Sequence, residues 1–78
     1  MTKEDLEHGI KSLEKSNEIQ ISSIENFKDA IRHLVFENGC DEYMITALEA
    51  YTKSIKNNFA IIEQNNAKIR LTKEILNA

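Results

Sequence analysis

A seven-residue recurrence of apolar side chains is the feature that most limits how this chain can fold. Ile10, Asn17, Ile24 and Ile31 stand seven apart, and so do Leu6, Leu13, Gln20, Phe27 and Leu34. The two series interleave at alternating spacings of three and four, which sets one stripe on an α-helix. The second half repeats the pattern. Leu48, Ile55, Ile62, Ile69 and Leu76 form an unbroken series, with Ile45, Thr52, Phe59 and Asn66 three residues ahead of its members. Strand-like alternation is confined to the few residues around Ile19 and Ile21. No proline interrupts either half, and the two glycines are Gly9 and Gly39. The pattern predicts an all-α fold, a long antiparallel helical hairpin with helices over about 3–37 and 42–77 and a turn over 38–41.

Local signals agree with these bounds. Thr2 can cap the first helix, with Glu4 and Asp5 favoured in its first turn by the helix dipole. Gly39 suits the left-handed residue that ends a helix, and Asp41 can accept from the free amides that open the next. Glu7–Lys11 and Glu49–Lys53 are spaced as ion pairs. Ser22-Ser23-Ile24-Glu25 also looks like a helix start and offers an alternative with a break near residue 21. The unbroken stripe through that stretch favours one continuous helix. A row of small residues, Gly9, Ser16, Ser23 and Ala30, and another with Thr46, Ala60 and Ala67, would let neighbouring helices approach closely.

At 78 residues the chain is a single domain with little core to gain, and scaffolds of this size usually need a staple. Cys40 is the only cysteine, so no disulfide forms within the chain. Together with the lack of a secretory signal or a spanning apolar run, this predicts a cytoplasmic setting and no membrane. Self-association remains as the staple. Two helices touching along one seam leave Ile21, Val35, Phe36, Tyr43 and Tyr51 as an interaction surface. The expected partners are copies of the chain, in a homodimeric four-helix bundle or a higher assembly, and another protein. Isoleucine, asparagine and lysine make up 27 residues, a bias of AT-rich coding that hints at a phage, mobile-element or low-GC bacterial source.

Net charge is −3, against the basic face of a general nucleic-acid binder. It divides unevenly, −5 over residues 1–42 and +2 over 43–78, so the two halves attract when laid antiparallel. Catalytic and metal patterns are weak. Glu25, Asp29 and His33 share a helix face but lack the further ligands that bundle metal sites use. His33 and Cys40 could offer two of the four ligands that zinc needs. Cys40 has no base placed beside it, and no glycine-rich loop is present for phosphates. The chain is therefore read as a non-enzyme with no cofactor and no metal.

Four polar residues fall inside the apolar stripes: Asn17, Gln20, Thr52 and Asn66. An antiparallel turn near residue 39 should set Asn17 near Ile62, Gln20 near Phe59, Thr52 against Phe27 and Asn66 against Leu13. Such residues fix the register of paired helices at some cost in stability. A second reading makes them part of an intersubunit pocket for an anionic metabolite or nucleotide, with Asn58, Lys56 and Arg70 as possible ligand-binding residues. A third gives the helix-two face to RNA. The function expected first is a protein–protein interaction module: an adaptor, a small chaperone or an inhibitor.

Overall fold

The computed structural model describes residues 1–37 and 41–78. It is a hairpin of two α-helices, α1 (Lys3–Glu37) and α2 (Glu42–Leu76), 35 residues each. The molecule measures 56 × 14 × 14 Å, the outline of two rods side by side. Among the described residues there is no strand, and no helix is long and apolar enough to cross a membrane.

The first helix is continuous through Ser22 and Ser23. No glycine or proline stands there to break it, and its stripe stays on one face throughout. Its N-terminus is closed reciprocally. Thr2 Oγ1 accepts from the Asp5 amide at 3.1 Å, and Asp5 Oδ2 accepts from the Thr2 amide at 3.2 Å, so two otherwise orphaned donors are satisfied. In α2, Asp41 accepts from the Met44 amide at 2.8 Å. The expectation for Gly39 lies outside the described residues. Of the expected ion pairs, Glu7 is instead matched with Lys3 at 4.0 Å, while Lys28 and Glu25 stand 3.9 Å apart. Both are exposed, and such pairs contribute little.

The seam between the helices differs from expectation in one respect. On α1 both expected rows face the partner, and Ile10 and Ile24 are buried at 8% and 4% exposure. On α2 the row Leu48, Ile55, Ile62, Ile69 and Leu76 is half-buried, as a seam row should be. Its companion, however, is Met44, Tyr51, Asn58, Asn65 and Thr72, four residues ahead of each member. Apart from the exposed Asn66, which still bonds across the seam, the row Ile45, Thr52 and Phe59 is turned outward and exposed. Thus Tyr51, not Thr52, meets Phe27, with ring centroids 5.6 Å apart. The Thr52 hydroxyl donates to the Leu48 carbonyl of its own helix at 2.7 Å. Both companion rows sit at the right spacing beside the same central row, so a small rotation of α2 about its axis exchanges them.

Candidate functional site: a polar ladder within and an apolar seam without

The inward turn of Asn58 and Asn65 places two amides in the middle of the hairpin, one heptad apart. Each finds partners on α1. Asn65, 6% exposed, donates through Nδ2 to Ser16 Oγ at 3.1 Å and to Asn17 Oδ1 at 3.0 Å. Asn17 donates in turn to Asn66 Oδ1 at 2.9 Å. Asn58 donates to Gln20 Oε1 at 2.6 Å, and its own Oδ1 accepts from Ser23 Oγ at 3.4 Å. Among the described residues no buried side-chain nitrogen or oxygen lacks a partner. A buried amide left unpaired costs more than a made hydrogen bond gains, so the ladder fixes which residues face one another.

The ladder corrects the expected pairings. Asn66 reaches Asn17 rather than Leu13, and Gln20 meets Asn58 rather than Phe59. Ser16 and Ser23, members of the small row, are hydrogen-bonding members of it. Gly9, in the same small row, is approached by nothing, and a Cβ added there would meet open space. The signal for the missed residues was present: polar residues at 16, 17, 20 and 23 on one helix oppose asparagines at 58 and 65 on the other.

Within one chain these side chains are engaged across the seam, Asn17 with Asn65 and Asn66, and Gln20 with Asn58. Lys56 and Arg70 lie exposed on α2, each in a separate groove open to solvent. Among the described residues no three His, Cys, Asp or Glu side chains gather as a metal site. Cys40 lies outside the described residues.

The hydrogen bonds also tell the two sides of the hairpin apart. Ser16 and Ser23 reach Asn65 and Asn58, so the small row of α1 flanks the inward amides on one side. Asn17 reaches Asn66, so on the opposite side the first row of α1 flanks the outward row of α2. That second side mixes charged, polar and apolar residues, with Glu7, Glu14, Ile21, Lys28 and Val35 along α1 and Ile45, Thr52, Phe59, Asn66 and Lys73 along α2. There Ile21, Val35, Ile45 and Phe59 are 52%, 47%, 49% and 54% exposed, beside the half-buried Ile31, Leu48, Ile55, Ile62 and Ile69. Two grooves open on α2 along this side, one lined by Ile45, Leu48, Glu49, Thr52, Lys53 and Lys56 and the other by Asn66, Ile69, Arg70, Lys73, Glu74 and Asn77. Of the surface residues expected from sequence, Ile21 and Val35 belong to this seam. Phe36 and Tyr43 are strongly exposed near the hairpin tip. Tyr51 does not belong to a free surface, being half-buried against Phe27.

No protein-family model matches the chain, and neither does any curated protein or solved structure.

Proposed function

We propose that this chain is a non-enzymatic protein–protein interaction module, a helical hairpin that self-associates and acts by docking its open apolar seam. One observation carries the reading. Among the described residues, Ile10 and Ile24 are the buried apolar side chains, whereas eleven large ones are exposed. Two rods in contact along a single line have no interior to hide the rest; Ile21, Val35, Ile45 and Phe59 of the eleven lie along the open seam, and exposed apolar surface beyond a few scattered side chains marks an interaction site. The missing burial is also what a chain of this size needs for stability. An adaptor, a small chaperone or an inhibitor would use such a surface, and a lone cysteine suits work in the reducing cytoplasm. The cross-seam bonds of Asn17, Gln20 and Asn58 occupy groups that a small ligand would use, which favours the interaction reading over a sequestering protein.

Sedimentation equilibrium tests the reading. The expected mass is a multiple of the 9.0 kDa chain at micromolar concentration. A folded monomer that stays monomeric up to millimolar concentration would overturn it.

A further inference from the structure

We infer that α2 is a two-position element. The setting in the structure turns Ile45 and Phe59 outward, and a second setting, rotated by about 50°, half the angle between consecutive helical residues, draws them into the seam. The inward and outward rows are consecutive residues throughout: Met44 with Ile45, Tyr51 with Thr52, Asn58 with Phe59, and Asn65 with Asn66. They flank the central row of α2 on either side, so that row stays in the seam in both settings. Met44 now lines a groove with Leu34, Tyr51 meets the Phe27 ring, and Asn58 bonds Gln20. Turning α2, with a slip of about 1.5 Å along its axis, puts Ile45, Thr52 and Phe59 in those three places.

Asn17 marks the pivot. Its Oδ1 accepts from Asn65 at 3.0 Å and its Nδ2 donates to Asn66 at 2.9 Å, so it holds one amide from each row. The turn keeps the bond to Asn66 and releases Asn65. Four hydrogen bonds are given up, those of Asn58 with Gln20 and Ser23 and those of Asn65 with Ser16 and Asn17. In return Ile45 and Phe59, 49% and 54% exposed as they stand, are covered at the expense of Met44 and Tyr51. A net hydrogen bond and a partly buried apolar side chain are terms of the same order. The released amides move to the rim of the seam, where water takes the place of their partners, so the turn orphans no buried donor.

The observed setting presents two large apolar side chains on the open seam and the turned one withdraws both, so α2 gates that seam. The gate rests on the reading of the seam as a docking surface, whereas the turning is a property of the hairpin alone. A partner seated on Ile45 and Phe59 binds one setting and not the other, and shifts the population toward it.

Nuclear Overhauser contacts to the Phe27 ring read the setting in the full chain, with isotope filtering to exclude contacts between chains. In the parent protein the ring contacts Tyr51, and the turned setting holds at most about 10% of chains. Gln20→Leu removes the acceptor of Asn58 and offers Phe59 an apolar neighbour. The main contact is then expected to pass from Tyr51 to the Thr52 methyl. A folded Gln20→Leu protein that keeps Tyr51 on Phe27 overturns the inference, whatever sedimentation says of docking. The turned setting uses neither inward amide, so Asn58→Ala combined with Asn65→Ala is expected to fold and to show the Thr52 contact. A double variant that unfolds, or that folds with Tyr51 still on Phe27, overturns it equally.

Discussion

Replacing Asn65 by alanine tests the ladder most directly. Asn65 is the one buried polar residue described, and its amide nitrogen serves two acceptors, Ser16 Oγ and Asn17 Oδ1. Truncation removes both bonds. Each net hydrogen bond contributes roughly 0.5–1.5 kcal/mol, and an acceptor left buried without a donor adds about 1–3 kcal/mol. The Asn17 side chain keeps its contact with Asn66, and Ser16 is only half-buried and reaches water. The two lost bonds therefore set the scale, at about 1–3 kcal/mol. For a domain of this length a loss of 1 kcal/mol lowers Tm by about 4–8 °C, so Asn65→Ala is expected to melt about 5–20 °C lower. The assay is a far-UV circular dichroism melt at one fixed protein concentration, because association makes Tm depend on concentration. Asn65→Leu supplies the contrast. It fills the site with an apolar group and removes only the hydrogen bonds, so it should lose less stability but broaden amide NMR signals through loss of a unique register. A melt of Asn65→Ala within 2 °C of the parent would refute the reasoning, since two buried bonds would then have no net worth.

Two further outcomes follow from the helix ends and the small row. Asp41→Ala removes the acceptor for the Met44 amide and should cost about 1 kcal/mol, seen as a lower urea midpoint with an unchanged slope; an unmoved midpoint would assign that amide to solvent. Gly9→Ala places a methyl in open space inside a helix and should stabilise by about 0.5–1 kcal/mol. A lower Tm for that variant would mean that another helix packs against the small row.

Periodicity alone carried the reading of the sequence as far as two helices, a continuous first helix and both faces of the α1 seam. It did so because those properties depend on where apolar residues fall. The rotation of α2 was not legible in that way. Ile45 and Phe59 outweigh Met44 and Tyr51 in hydrophobicity, so a count of apolar residues turns them toward α1. What turns them outward is hydrogen-bond matching, in which Asn58 and Asn65 meet Gln20, Ser23, Ser16 and Asn17. That is a property of two segments more than thirty residues apart in sequence, and no single-helix pattern contains it. Tyr51 was misplaced for the same reason, as its neighbour Thr52 was assigned the position beside Phe27. Caps were readable because they are local. Thr2 and Asp41 lie within three residues of the amides they satisfy.

Along α2 the inward positions at successive heptads read Tyr51, Asn58, Asn65: one ring and then two amides. Were α2 to slide by seven residues toward the tip, Asn65 would arrive where Asn58 had been and could still find an acceptor. Asn58 would then land against the Phe27 ring with nothing to bond, and Tyr51 would lose its aromatic neighbour. A heptad repeat by itself is blind to such a slide, since every step of seven looks the same. The ring beside the two amides works like the notch on a key blank, leaving a single offset at which all three teeth fit.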